Sequence, residues 1–399
     1  MREDVIGRAN VEDTPELDRY YNELGQQESY ALWTVANAIE PWEPKPASQP
    51  IVWRYDAMRP LVMKALDMVS PEKAGRRVIA LENPGRKGLS ACVGWLYTGL
   101  QVMRPGEFAS AHNHASAALR FIMEGAGAYT VVDGHKMSLS AGDFVITPNG
   151  TWHDHGVESD GAVTVWQDGL DMLLVNQLDA NFYAVHPEHV QKSNYPVNDT
   201  VAVYGGSGLL PASETWSKPY SPLFKYEWAP TYDALVRASR ATDGSPYDGI
   251  IMQYVNPATG GPVMKTLGAC IQLLRGGERT KAHRHTGSVV YNVAKGSGHS
   301  IIAGKRFDWK KNDIFVVPSW AWHEHVNGSD RDDAVLLMEH PHRHFDGAFG
   351  HERKSVDEVA HERERAAAWF EIAGQGLSER RTHVHRRDLA IVERGGEHR

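Results

Sequence analysis

Two stretches of the chain decide the fold because they are copies of one another. Residues 143–155 read DFVITPNGTWHDH and residues 313–325 read DIFVVPSWAWHEH, so the two align without a gap. Upstream, the His-Asn-His triplet at 112–114 aligns with His-Arg-His at 283–285. An offset of 170 to 171 residues between copies indicates two domains of one architecture, produced by duplication.

Each copy is made of short β-like runs separated by Gly, Pro and Asp. Residues 118–123 and 128–132 are two such runs, and Asp133-Gly134 after the second is a hairpin signal. Many short strands with a turn about every ten residues predict a sandwich or a barrel.

The 399 residues are too many for one ordinary core. Thr14 before Pro15 predicts the start of a helix in the lead-in. The predicted division is an N-terminal helical segment (1–75), a catalytic domain (76–189), a linker with a helix (190–240), a second domain (241–345), and a charged C-terminal helix and tail (346–399).

The charge balance excludes two classes of partner. Lys and Arg number 42 against 50 Asp and Glu, a formal charge of −8, whereas nucleic-acid and anionic-membrane binders need a basic surface. No run approaches the ~18 apolar residues that span a bilayer. Two cysteines give no disulfide framework, and the N-terminus lacks the apolar stretch of a signal peptide, so we expect a cytoplasmic protein.

The duplicated histidines predict a metal centre. Side chains at i and i+2 of a strand share a face, so His112 and His114 present two imidazoles together. If the strand bearing His153 lies beside them, three imidazoles converge and leave coordination positions open, as in a catalytic site. The second copy has three histidines at the same positions of the repeat, His283, His285 and His323. Whether that set holds metal or serves as scaffold is left open.

Histidine pairs alone predict little, because most of them bind nothing. His383 and His385 form such a pair in a charged tail without a third partner. His340, His342 and His344 are expected in a solvated turn.

Alternation also places Arg120 inside the first domain, on the face of His114. A buried guanidinium needs an anion, which is either a substrate carboxylate or a protein carboxylate in a structural ion pair. The second copy has Tyr291 at that place, so we assign catalysis to the first domain. His155 shares the face of His153 and is either an acid or base near the metal or a satisfied core histidine.

These motifs resemble a known family. Residues 112–125, HNHASAALRFIMEG, and the string WHDHG at 152–156 are similar to the gentisate 1,2-dioxygenase family of bicupins, which includes salicylate and 1-hydroxy-2-naphthoate dioxygenases. The DGLD at 168–171 and the PSWAWHEH at 318–325 also match, and the resemblance covers residues 15–345.

The resemblance implies a mainly β fold, a bicupin of two β-barrel (double-stranded β-helix) domains with an N-terminal helical segment. It implies Fe(II) on His112, His114 and His153, with O₂ as co-substrate and a small aromatic carboxylate as substrate. The ring of gentisate, or of a substituted salicylate such as 5-nitrosalicylate, would open between its carboxyl- and hydroxyl-bearing carbons. The implied substrate-facing residues are Arg76, Tyr97, Gln101, Arg120 and His155, and the implied catalytic residues are Arg120, His155 and Asp168. The family also favours a homotetramer.

Two departures from the family pattern concern the first copy. Asn113 stands where the family usually has Arg, and Gly150 stands where the second copy has Trp320. Loss of an indole predicts a larger pocket and hence tolerance for a bulkier ring.

Three alternatives accompany this interpretation. The closest is a 1-hydroxy-2-naphthoate dioxygenase. A zinc or manganese cupin isomerase or hydrolase is a second, since three histidines and a water also suit Zn²⁺. A storage or ligand-binding bicupin is the third, although such a protein is expected to carry a signal peptide and to lack the duplicated histidines.

Overall fold

The computed structural model describes residues 14–341, apart from residues 207 and 214, together with residues 351–353. Its helices are α1 (Pro15–Gln26), α2 (Leu32–Ile39), α3 (Tyr55–Met68), α4 (Pro71–Ala74), α5 (Met172–Gln177), α6 (Asp199–Tyr204) and α7 (Trp228–Ala241), with a 3-10 turn at Pro84–Arg86. The Thr14 hydroxyl accepts a hydrogen bond from the Leu17 amide at 3.2 Å, which confirms the predicted helix start. In the part of the chain that is described, no helix has both the length and the apolar character needed to cross a membrane.

The strands fall into two groups. The first group is β2 (Val78–Ala80), β3 (Tyr97–Met103), β4 (Phe108–His114), β5 (Ala118–Glu124), β6 (Ala126–Val132), β7 (His135–Ser140), β8 (Phe144–Thr147), β9 (His153–Val157), β10 (Thr164–Leu170), β11 (Tyr183–Val185) and β12 (Lys225–Tyr226). The second group is β1 (Ile51–Trp53), β13 (Ile250–Gln253), β14 (Leu267–Leu274), β15 (His283–His285), β16 (Val289–Lys295), β17 (Ser297–Ile302), β18 (Lys305–Lys310), β19 (Ile314–Val317), β20 (His323–Asn327), β21 (Ala334–Pro341) and β22 (His351–Arg353).

Each group forms one barrel from two antiparallel sheets. The first barrel has the strand orders β12-β8-β5-β10-β3-β2 and β11-β4-β9-β6-β7, and the second has β1-β19-β16-β21-β14-β13 and β18-β17-β20-β15-β22. The expected fold class, two β-barrels preceded by a helical segment, is therefore confirmed. Strand β1 comes from the helical lead-in yet completes the second barrel, and β12 comes from the predicted linker yet completes the first.

The duplicated aspartates fix a helix to each barrel in the same way. Asp143 accepts from the amide of Trp228, the first residue of α7, at 3.0 Å. Asp313 accepts from the amide of Tyr55, the first residue of α3, at 2.7 Å. A carboxylate at a helix N-terminus satisfies a free N–H and is favoured by the helix dipole. Asp143 and Asp313 therefore each anchor the N-terminus of a helix to a barrel.

The predicted Asp133-Gly134 hairpin is present between β6 and β7. Val132 pairs with His135, and both turn residues have positive φ, 47° at Asp133 and 86° at Gly134. That combination is the two-residue turn that matches the twist of the flanking strands.

Residues of both six-stranded sheets pack in one apolar core, and a buried carboxyl of the second barrel contacts the first. Glu339 of β21 accepts from Thr98 and Gln167 of the first barrel, both at 3.4 Å. Burial raises the pKa of Glu339 to about 8, so this carboxyl is largely protonated at pH 7.

His340 was expected in a solvated turn, and that expectation is wrong. It is buried in β21, 3 % exposed, with its Nε2 atom 3.5 Å from Cys270 Sγ. His342, His344, the pair at 383 and 385, and the predicted C-terminal helix and tail apart from β22 lie outside the described residues.

Candidate metal centre

Four buried imidazoles meet inside the first barrel. His112 and His114 lie on β4, His153 and His155 lie on β9, and His112 pairs directly with His153 across the two strands. The His153 ring centroid is 4.2 Å from that of His112 and 4.7 Å from that of His114. Period-two alternation on two adjacent strands thus brings all four side chains to one face.

Backbone carbonyls fix the tautomer of three of these histidines. The Nδ1 atoms of His112, His114 and His153 lie 2.7, 2.8 and 3.0 Å from the carbonyl oxygens of Ser110, Ser116 and Thr151. A carbonyl only accepts, so each Nδ1 donates and each Nε2 keeps its lone pair, as in metal-ligating histidines.

The free Nε2 atoms fit a metal ion. Those of His114 and His153 are buried and have no hydrogen-bond partner among the described residues. Burial, and next the nearby Arg76, lowers the pKa of His112 to about 3, and burial lowers that of His114 to about 4. Burial also holds the pKa of His153 well below its usual range. At pH 7 these imidazoles are neutral, the form that binds metal.

The three histidines whose ligand atoms lie closest together in the first barrel include His155 where the sequence predicted His114. The ligand atoms of His112, His153 and His155 lie within 4.8 Å of one another. His155 differs from the other three because its Nδ1 contacts the Thr130 hydroxyl at 2.8 Å rather than a carbonyl. In the second barrel the ligand atoms of His283, His285 and His323 lie within 4.8 Å, and these are the repeat counterparts of His112, His114 and His153. The internal repeat therefore favours the set with His114.

Two adjacent arginines have different tasks. Arg76 Nη1 lies 3.3 Å from His112 Nε2, at the metal centre. Arg77 is buried elsewhere, where it forms a bidentate ion pair with Glu107 at 2.5 and 2.8 Å. Arg76, not Arg77, is thus the arginine that faces the site.

Arg120 has a protein carboxylate as its partner. Its Nε atom is 3.0 Å from Asp168 Oδ1, and its Nη1 donates to the Thr147 hydroxyl at 2.6 Å. Burial lowers the pKa of Arg120 to about 10, and Asp168 opposes that effect. Arg120 therefore forms a buried ion pair with a protein carboxylate, and Trp166 Nε1 donates to the same Asp168 oxygen at 3.1 Å.

Tyr97 and Gln101 lie on β3 beside the ion pair, because Gly99 between them pairs with Asp168. The Gln101 Oε1 atom is buried without a hydrogen-bond partner among the described residues, so it can accept from a ligand. Burial, and next Asp168, raises the pKa of Tyr97 to about 12, which keeps its hydroxyl protonated.

A cavity of about 450 Å³ opens beside His112. Arg76, Phe108 and Tyr183 line it, and the Tyr183 ring stacks on the His112 ring with 5.4 Å between centroids. Sequence reasoning missed Tyr183, Thr130 and Thr147. No signal in the sequence pointed to them, since their positions depend on which strands become neighbours.

Asn113 and Gly150, which depart from the family pattern, contact each other, as do their counterparts Arg284 and Trp320 in the second barrel. In the second barrel the Arg284 guanidinium lies over the Trp320 ring, 4.4 Å from its centroid. In the first barrel Asn113 instead donates to the Gly150 carbonyl at 2.8 Å. The middle residue of each triplet points away from the imidazoles. The Trp320 indole therefore packs against a side chain that points away from the imidazoles, and the larger pocket expected from its replacement by Gly150 stays a prediction.

Comparisons with known proteins agree with this geometry. The Cupin domain family matches residues 99–172 and 270–339, one segment in each barrel. The chain is 39% identical over 324 residues to gentisate 1,2-dioxygenase 1 of Aquipseudomonas alcaligenes, covering 81% of this chain and 92% of that protein. It is 36% identical over 326 residues to 5-aminosalicylate 1,2-dioxygenase of Comamonas sp, covering 81% and 86%.

A solved structure gives the same answer. Salicylate 1,2-dioxygenase from Pseudoaminobacter salicylatoxidans, as its adduct with gentisate, superposes with a TM-score of 0.79 at 29% identity, covering 88% of this chain and 98% of that one. With duplicated barrels, a three-histidine centre and relatives of this kind, the chain belongs to the gentisate 1,2-dioxygenase family of bicupins, a family of ring-cleaving dioxygenases.

Proposed function

We propose that this ring-cleaving dioxygenase uses Fe(II) and O₂ to open an ortho-hydroxy aromatic acid, gentisate or a 5-substituted salicylate, between its carboxyl- and hydroxyl-bearing carbons. The observation that carries the proposal is a group of buried, neutral imidazoles with free Nε2 atoms beside two arginines. His112, His114 and His153 would hold the iron. When bound, ferrous iron supplies the redox centre and the Lewis acid that ring cleavage by O₂ requires.

The charges of the site select an anion. Arg76 and Arg120 both face the interior, and Asp168 balances only Arg120 at ion-pair distance. Arg76 has no carboxylate within ion-pair distance among the described residues, so one positive charge is left for a substrate carboxylate. Gentisate and 5-aminosalicylate, after which two relatives are named, share a carboxylate next to a hydroxyl.

His155 has the tautomer of a proton acceptor. The Thr130 hydroxyl donates to the Asp154 carbonyl at 3.0 Å, so the same oxygen accepts from His155 Nδ1. His155 Nε2 therefore keeps its lone pair, and it is buried without a partner among the described residues. We propose that this nitrogen accepts the proton of the substrate's hydroxyl group. Both atoms of O₂ enter the product, so the reaction needs no reductant.

The experiment is oxygen uptake by the anaerobically iron-reconstituted protein with gentisate, salicylate, 5-aminosalicylate, 5-nitrosalicylate and 1-hydroxy-2-naphthoate. Uptake matched one-to-one by loss of aromatic absorbance, and abolished by His112→Ala, supports the proposal. Fastest turnover of the naphthoate would favour the first alternative. No uptake with any ring, in protein that retains Zn²⁺, would overturn the proposal in favour of the isomerase or hydrolase.

The role of Arg76 has its own test and control. Arg76→Met removes the charge that we assign to the carboxylate, so KM should rise by about 10- to 100-fold because a charge-assisted hydrogen bond contributes about 1.5–3 kcal/mol. Arg104→Met, which removes an exposed arginine paired with Asp67, should leave KM unchanged. Equal KM values in the two variants would show that Arg76 does not bind the substrate carboxylate.

We also propose a homo-oligomer, a tetramer by family resemblance, and a cytoplasmic location. Light scattering of the purified chain tests the first, and a monomer would overturn it. The domain limits 76–189 and 241–345 also stay predictions, to be tested by limited proteolysis.

A further inference from the structure

The histidines of the second barrel keep the geometry of a ligand set. His283 pairs with His323 across β15 and β20, and their ring centroids are 4.2 Å apart. The Nδ1 atoms of His285 and His323 lie 2.7 and 2.9 Å from the carbonyls of Gly287 and Ala321, which leaves each Nε2 with its lone pair. His323 Nε2 is buried and has no hydrogen-bond partner in the described parts of the chain.

The side chain beside this set carries the opposite charge from that in the first barrel. Asp248 Oδ1 lies 3.4 Å from His283 Nε2, where the first barrel has Arg76 Nη1 at 3.3 Å from His112 Nε2. Asp248 is held in place, because its Oδ2 accepts from the Ser245 hydroxyl at 2.8 Å and its carbonyl accepts from Gln272 at 2.7 Å. A fixed carboxylate is itself a ligand, whereas an arginine leaves a position for an anion.

The interior of the second barrel is unsuited to an anionic substrate. Tyr291 and Met338 stand where the first barrel has Arg120 and Asp168, and both belong to an apolar cluster. The Tyr291 hydroxyl lies 3.3 Å from His325 Nε2, the counterpart of the free Nε2 of His155. The group that we assign to proton transfer is thus occupied here.

We propose that the second barrel holds a structural zinc-type ion on His283, His285, His323 and Asp248. Two ligands about 2.1 Å from a tetrahedral zinc are separated by about 3.4 Å, which is the spacing of Asp248 Oδ1 and His283 Nε2. Four protein ligands close the coordination sphere, as in structural sites, whereas three histidines in the first barrel leave it open. The ion would tie β15 to β20 and to the loop that carries Asp248.

The test is metal content and spectrum, independent of ring cleavage. The full chain is loaded anaerobically with Fe(II) and Zn(II), desalted, and assayed for both metals. We expect two ions per chain in the native protein, one in His323→Ala, and retained zinc with lost iron in His153→Ala. Loaded with Co(II), His153→Ala should show the intense visible absorption of a tetrahedral site, and His323→Ala should not.

Asp248→Asn tests the fourth ligand in a variant that keeps the Ser245 contact and so should fold. Zn(II) affinity, measured by competition with a chelator, should fall by about 10- to 100-fold, and the zinc-dependent rise in melting temperature should shrink. One ion per chain in the native protein, with content unaffected by His323→Ala, would overturn the proposal. Unchanged zinc affinity in Asp248→Asn would show that Asp248 is not a ligand, and the proposed site with four protein ligands would then be wrong. Failure of ring cleavage alone would concern only the first barrel.

Discussion

The two barrels share a ligand frame and differ in what fills the space behind it. In both, a His-x-His strand pairs with the strand of the third histidine, and backbone carbonyls orient the rings. Behind the imidazoles, Arg120 faces Asp168 in the first barrel, whereas Tyr291 faces Met338 in the second. The two copies therefore keep the same strand pairing and imidazoles and differ in these interior side chains.

The fate of the fourth histidine shows the difference most clearly. His155 Nε2 has no partner among the described residues, but its counterpart His325 contacts the Tyr291 hydroxyl at 3.3 Å. Tyr291 also stacks on Phe315 with centroids 4.7 Å apart. One aromatic side chain thus both fills the second barrel and contacts the nitrogen whose counterpart in the first barrel we propose as the proton acceptor.

The largest effect should come from removing the third histidine of each barrel in turn. His153→Ala should reduce ring cleavage by about 1,000-fold or more, because the iron site that we propose would lose one of its three ligands. His323→Ala should keep most of the activity at 25 °C. Oxygen uptake per protein chain is the measurement, and equal losses in the two variants would contradict the assignment of catalysis to the first barrel.

The next largest effect should come from replacing interior residues of the first barrel with those of the second. Arg120→Tyr leaves Asp168 buried without its cation and should lower the free energy of unfolding by about 3–5 kcal/mol. Arg120→Tyr combined with Asp168→Met copies the second barrel, so it should recover most of that stability and remain inactive. Urea unfolding and oxygen uptake measure both. A double variant no more stable than the single one would show that the ion pair is not what couples these positions.

Glu339 offers a pH-dependent comparison, since its counterpart in the first barrel is Gly169, over which the carboxyl packs. Its raised pKa means that folding takes up a proton between about pH 4.5 and pH 8, so this group's contribution to stability falls as pH rises through that window. The slope is at most about 1.4 kcal/mol per pH unit.

Glu339→Gln removes this titration and keeps the shape of the side chain. The variant should gain stability relative to the native protein between pH 5.5 and pH 7.5, as measured by urea unfolding at each pH. A constant difference across that range would mean that Glu339 is ionised in the folded protein.

The smallest expected effect concerns Tyr291. Tyr291→Phe keeps the stacked ring but removes the partner of His325 Nε2, which should lower the free energy of unfolding by about 1 kcal/mol. Ring cleavage should not change. A larger loss of stability, or any change in KM, would mean that the interior of the second barrel is energetically coupled to the site in the first.

Much of the fold follows from local pattern. The repeat predicted two domains of one architecture. Period-two alternation placed two imidazoles on one face, and Asp133-Gly134 predicted a two-residue turn, because both depend only on residues close together in the chain. Motif resemblance led to the family, which the relatives confirm. The solvated turn expected at His340 was wrong because β21 continues to Pro341 and His340 is buried opposite Gly268 of β14.

Only the tertiary structure decided which distant residues meet. It paired Arg120 with Asp168, brought Arg76 rather than Arg77 to His112, set Asp248 against His283, and placed Arg284 over the Trp320 ring. These contacts join strands and loops that are far apart in sequence, and strand order and register fix them. Alternation states which face a side chain takes, but the partner across that face depends on how the whole barrel closes.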